Sequence, residues 1–140
     1  MYDSTKKCVM VIDHEQPLGV MANTAAILGC TLGKDFGEVI GNSIEDGNGF
    51  LHKGIVNLPI PVLSSTREDL TKLHREVSES FSEKIELIGF TTTAQRSRDY
   101  EDYTLKLSAT QTYDLKFLGI CLYGEKKAVN HLTGSLPTLK

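Results

Sequence analysis

No stretch of this chain approaches the roughly 20 consecutive apolar residues that a membrane-spanning helix needs, which argues against a membrane span. The amino-terminal run Met1-Tyr2-Asp3-Ser4-Thr5-Lys6-Lys7 has neither an apolar export core nor a small-residue cleavage site, so a cytoplasmic setting is the expectation. Cysteine is scarce. Cys8, Cys30 and Cys121 form an odd set without Cys-x-x-Cys spacing, and two of them lie in apolar runs, the pattern of reduced, buried thiols. Positive charge is not in excess either: the formal net charge is −3 and the pI about 5.8. Sequence-independent binding to nucleic acid depends on clustered positive charge, so the balance argues against it, while a local basic patch stays compatible with it.

The familiar cofactor and metal signatures are also missing. His14, His52, His74 and His131 are scattered, with no i, i+4 pair on a helix, which argues against zinc. Glu45-Asp46-Gly47-Asn48-Gly49 lacks the alternating oxygen ligands and closing Glu of a calcium loop. No Gly-x-Gly-x-x-Gly follows a strand, and Gly124-Glu125-Lys126-Lys127 lacks the long glycine loop of a nucleotide-binding P-loop. No cofactor and no metal are therefore implied.

What is present is a core. The 140 residues, 40% of them apolar, are enough for one globular domain spanning residues 1–140 without disulfides or metals. Lys7 to Asp13 is apolar on both faces, the pattern of a central, helix-covered strand. Pro17 suits the first turn of a helix running to about Leu32, with Gly33 placed to end it. That helix is apolar nearly all round, so it should be covered on more than one side, and a second copy of the chain is a candidate for part of that cover.

Asp46-Gly47-Asn48-Gly49 between two short apolar pairs signals a hairpin with a tight primed turn, an excursion from the main sheet at residues 40 to 55. Leu58-Pro59-Ile60-Pro61-Val62-Leu63 reads as a short extended segment at a sheet edge. Ser65-Thr66-Arg67-Glu68 has capping-box spacing ahead of Leu70, Leu73, Val77 and Phe81, which recur at helical intervals. Ile85 to Thr91 reads as a strand, Ser97 as the cap of a helix carrying Tyr100, Tyr103 and Leu107, and Leu115 to Tyr123 as the last strand. Gly124 then turns the chain into a final helix ended by Gly134 and Pro137. Gly89 and Gly119, each inside a strand, predict close approach of a helix or a neighbouring backbone.

Strands alternating with helices predict an α/β sheet with parallel pairs and covered faces. Sites in such sheets form outside the carboxyl ends of strands, which directs attention to Asp13 and His14, to Thr92 through Arg98, and to Tyr123 through Lys127. Lys126 and Lys127 in a helix's first turn, with Arg96 and Arg98 from another strand end, suggest an anion pocket opposed by Glu125; the alternative is a solvated basic face. Asn23 and Thr24 are the polar residues in the middle of the first helix, either lining a pocket or bonding within the core. The ligand-binding set read from these patterns is Asn23, Thr24, Thr92, Gln95, Arg96 and Lys127, a recognition surface rather than an acid/base engine.

The segments Lys7 to Asp13, Leu18 to Gly29, Leu58 to Leu63 and Tyr123 to Pro137 together resemble an uncharacterised bacterial family, catalogued as domain of unknown function number two thousand. The resemblance covers nearly the whole chain. It implies a fold similar to that of type-II peptidyl-tRNA hydrolases: a mixed, mainly parallel sheet with helices on both faces, here with an inserted β-hairpin, and often a dimer. Those hydrolases carry Gly-Lys-x-Ala-Ala-Gln on the first helix and Asp-Ala-Gly-Arg-Thr near the third strand. With Gly19 on the first motif, Val20 takes the Lys position and Thr24 the Gln position, or Asn23 after a one-residue shift. With Thr93-Ala94-Gln95-Arg96-Ser97 on the second, Thr93 takes the Asp position while Arg96 and Ser97 keep the Arg and a hydroxyl.

The charged catalytic pair is thus missing, which argues against peptidyl-tRNA hydrolysis by that mechanism. The expectation is a cytoplasmic, homodimeric binding or regulatory module for a small anion or nucleotide-like ligand. The alternative is a hydrolase acting on peptidyl-tRNA or a related acylated substrate, using Ser97 or His14. The sequence does not decide whether the protein is an enzyme.

Overall fold

The computed structural model describes residues 3–140; Met1 and Tyr2, part of the run read as lacking an export signal, lie outside the described residues. Strand β1 (Lys6–Asp13) is buried from Cys8 to its end, as a run apolar on both faces should be. It leads through Pro17 into α1 (Leu18–Asp35). Pro17 stands one residue before the helix rather than inside it, and Gly33 does not end it: the helix runs on to a cap at Phe36. A chain-terminating glycine works through a left-handed conformation, and Gly49 is the glycine that adopts one among the described residues.

The excursion follows as a small separate sheet of β2 (Ile44–Glu45) and β3 (Leu51–His52). The hairpin is there, but its turn is not the expected tight primed one. Gly49 N–H donates to the Asp46 carbonyl at 3.0 Å and Asp46 N–H to the Phe50 carbonyl at 2.9 Å, which makes a three-residue loop closed by Gly49 at φ +80°. The Asp46 carboxylate accepts the N–H groups of Asn48 and Phe50, and this side-chain staple favours the longer loop.

Strand β4 (Val62–Ser65) begins after the two prolines and pairs in parallel with β1. Its outer edge is closed by the carboxyl-terminal tail, through Ser64 N–H to the Pro137 carbonyl and Leu139 N–H to the Val62 carbonyl. Helix α2 (Arg67–Ser80) is capped by Thr66, whose hydroxyl accepts the Asp69 N–H, one residue beyond the Ser65 cap that the capping-box spacing suggested. Strand β5 (Ile85–Thr91) leads into the short α3 (Thr92–Gln95). Asp99, not Ser97, caps α4 (Tyr100–Ser108) by accepting the Asp102 N–H at 2.8 Å; the Ser97 hydroxyl instead donates to the Thr93 carbonyl. Tyr100, which the sequence placed on one stripe of this helix with Tyr103 and Leu107, is 79% exposed.

Strand β6 (Phe117–Glu125) is buried almost throughout, and Gly124 continues it instead of turning the chain into α5 (Lys126–Thr133). The order β4-β1-β6-β5 forms one open mixed sheet. Three of the four strands run the same way, yet β6 lies between β1 and β5 and runs against both, so β1 with β4 is the one parallel neighbour pair.

Helices cover both faces. On one, Met21, Leu28 and Leu32 of α1 bury Cys8, Met10, Ile12 and Cys121; on the other, Leu70 and Val77 of α2 and Val129 of α5 bury Val9, Val11, Ile120 and Leu122. Burial of each such side chain contributes about 1.5–3 kcal/mol. No described helix is long and apolar enough to cross a membrane.

Candidate functional site

Antiparallel insertion of β6 decides which candidate residues share an end of the sheet. Ile12 is paired with Gly119, Phe90 with Gly119 and Asp13 with Ser65, so the ends of β1, β4 and β5 and the start of β6 lie together. The carboxyl end of β6, with Lys126 and Lys127, lies at the other end, where Lys6 is paired with Glu125 and the Lys126 N–H donates to the Thr5 carbonyl. An anion pocket combining Lys127 with Arg96 and Arg98 is therefore not formed. The expectation failed because it set the carboxyl end of β6 beside those of the other strands, whereas β6 runs against both its neighbours.

Asn23 and Thr24 separate as well. Thr24 is fully buried, its hydroxyl donating to the Val20 carbonyl at 2.7 Å and its methyl packed over Gly119, so it belongs to the core. Asn23 is exposed on the outer face of α1, beside Ala22, Ala26 and Ile27. Gln95 is exposed on α3. Thr92 and Arg96 do come together: with Thr93, Lys106, Ala109 and Thr110 they line a cleft of about 420 Å³.

This cleft is built by local rules. The Thr91 hydroxyl accepts the Ala94 N–H and starts the single turn of α3, which sets Thr92, Thr93 and Arg96 just past the strand. The opposite wall comes from the end of α4. From the first turn of that helix the buried Asp102 carboxylate holds Lys106 at 2.9 Å and Arg98 at 3.5 Å, and accepts the Arg98 N–H. The Lys106 hydrogen bond, followed by the Arg98 N–H, holds the Asp102 carboxyl at about 2. Arg98 and Lys106 thus flank one carboxylate, and among the described residues no acidic side chain lines the cleft. Lys106 and Thr110 escaped the sequence reading because they sit a helix away from the strand end.

A second, larger opening of about 760 Å³ lies at the ends of β1 and β4, lined by Asp13, Thr66, Arg67, Thr71, Tyr113 and Lys116 with acidic neighbours. The sequence directed attention to Asp13, but its partner Arg67 is supplied by the first turn of α2. Neither opening is lined by a histidine or a cysteine among the described residues, and among them no three His, Cys, Asp or Glu side chains gather as a metal site.

Fold and clefts together define a small mixed α/β domain with polar openings at one end of its sheet. The chain belongs to a family described as protein of unknown function (DUF2000), whose model matches residues 6–140. No curated protein matches it. Its fold is similar to the solved structure of a protein of unknown function from Agrobacterium tumefaciens strain C58, with 20% identity, a TM-score of 0.87, and coverage of 99% of this chain and 98% of that one. The expected likeness to type-II peptidyl-tRNA hydrolases is not among these findings.

Proposed function

We propose that the protein is a binding or regulatory module for a small anion or a phosphate-bearing, nucleotide-like ligand, held in the cleft of Thr92, Thr93, Arg96, Lys106 and Thr110. One observation carries the reading: two cations and three hydroxyls share an opening that no carboxylate lines. Guanidinium and ammonium groups supply charge-assisted hydrogen bonds to an oxyanion, and threonine hydroxyls add neutral ones. A hydrolytic role for Ser97 has less support, because its hydroxyl is bound to the Thr93 carbonyl and no base is paired with it.

The test is titration of the ¹⁵N-labelled protein with inorganic phosphate and pyrophosphate at low ionic strength. The reading expects saturable shifts at Thr92, Thr93 and Thr110, and an affinity at least roughly fivefold weaker in Arg96→Gln, as loss of one charge-assisted contact implies. Absence of saturable shifts at these residues would overturn it.

The reading extends to a cytoplasmic homodimer. The outer face of α1 is apolar yet uncovered, with Leu18 79% exposed beside Ala22, Ala26 and Ile27, which supports cover by a second copy. Free thiols at Cys8, Cys30 and Cys121 support a reducing compartment. A monomeric mass by light scattering would rule out the dimer.

A further inference from the structure

Asp13 ends the central strand with its carboxylate almost wholly inside the protein, 2% exposed. Its Oδ1 accepts the Glu15 N–H and its Oδ2 accepts the Gln16 side-chain amide, both at 3.0 Å. The Arg67 Nε lies 3.6 Å from Oδ2, too far for a hydrogen bond, and it is the one buried side-chain polar atom without a partner among the described residues. A buried donor left without an acceptor is costly, and native structures rarely keep one without a reason.

An opening lies beside the pair. The Asp13–Arg67 pair forms part of the lining of the 760 Å³ opening, a volume within the range of small-molecule sites. The Arg67 side chain remains 36% exposed, with its Nε turned to Asp13 and shut off from solvent. Thr66 and Thr71 are occupied by α2 itself, the first accepting the Asp69 N–H and the second donating to the Arg67 carbonyl. The Tyr113 hydroxyl donates to Glu79. Arg67 and Lys116 are therefore the cationic groups left to meet a ligand, while Glu15, Glu68 and Asp114 are the exposed acidic ones.

The geometry points to a second binding site, independent of the anion cleft, for a small molecule that carries one carboxylate and a net positive charge: the class of the basic amino acids. The ligand carboxylate meets Lys116 and the open part of the Arg67 side chain, while Nε stays against Asp13 and keeps that carboxylate compensated. The ligand's ammonium groups meet Glu15, Glu68 and Asp114. A dicarboxylate would be repelled by those three acids, and a diamine would leave Arg67 and Lys116 unpaired.

The experiment is an amide-shift titration of the whole chain with L-lysine, with cadaverine, which is the same diamine lacking the carboxylate, and with glutarate. L-lysine is expected to give saturable shifts at Thr71, Asp114 and Lys116, with cadaverine bound roughly tenfold more weakly, the consequence of one lost charged contact, and glutarate more weakly still, because it lacks both ammonium groups. Lys116→Gln is expected to weaken L-lysine and to leave cadaverine bound at least as tightly, since a like charge is removed; Glu68→Gln is expected to weaken both. Both residues are exposed, so these variants keep the fold. Arg67 is not used as the primary variant, because its removal leaves Asp13 buried and uncompensated. Equal binding of L-lysine and cadaverine, indifference to Lys116→Gln, or no saturable shift with L-lysine overturns the inference. Shifts at Thr93 and Thr110 report on the other cleft and stand or fall separately, whereas the Thr92 N–H donates to the Lys116 carbonyl and reads both.

Discussion

The Thr24 methyl occupies the space over Gly119: a Cβ added to residue 119 would lie 2.6 Å from Thr24 Cγ2 and 2.8 Å from Ile12 Cδ1. Glycine in the middle of β6 is thus what lets α1 settle on the sheet. Gly119→Ala is expected to destabilise the protein by about 1–3 kcal/mol, the usual cost of overpacking a filled core. Thr24→Ser removes the methyl and keeps the hydroxyl that binds the Val20 carbonyl. Combined with Gly119→Ala it should recover part of the loss, and a urea-denaturation double-mutant cycle reads that coupling. Strict additivity would show that the two residues do not share this space.

Gly119 also marks how far local sequence carries. Its close approach was legible, as were β1, β5 and α2, because alternating burial, uninterrupted apolar runs and helical spacing are local patterns. The direction of β6 was not, since it follows from insertion between β1 and β5, a pairing of segments far apart in the chain. That one non-local choice removed Lys127 from the end of the sheet that holds Arg96. Neighbouring residues with equal capping chemistry were ambiguous too: Thr66 and Asp99 cap where Ser65 and Ser97 were expected. Lys106 and Arg67 had no local signal at all, because each enters its cleft from a helix that meets the strand end only in three dimensions.

His74 lies on Phe117 with ring centroids 4.2 Å apart, and its burial pushes the imidazole below its ordinary value of 6.5. The unfolded chain therefore takes up this proton first as pH falls. Below about pH 6.5 the unfolded state binds more protons than the folded one, so His74 should contribute a loss of stability that deepens until the lower folded-state value is passed. Above that window it contributes nothing. His74→Phe is expected to flatten the slope of stability against pH just below 6.5, measured by chemical denaturation at closely spaced pH values. An unchanged slope would mean that the imidazole is solvated in the folded protein.

Asp102 has the opposite sign. Its carboxyl is held at about 2 against an ordinary 3.8, chiefly by Lys106 and then by the Arg98 N–H. Its contribution to stability is present above pH 3.8 and lost as pH falls through about 2. Asp102→Asn should lower stability at neutral pH and flatten the acid limb between those values. The same variant probes the neighbouring cleft, because the carboxylate both holds Lys106 and offsets its charge. Removing the negative charge that Arg98 and Lys106 flank strengthens the field acting on an oxyanion in the cleft, so phosphate is expected to bind more tightly in Asp102→Asn. Weaker binding in that titration would show that Asp102 serves the cleft by fixing the position of Lys106, with its charge a secondary cost.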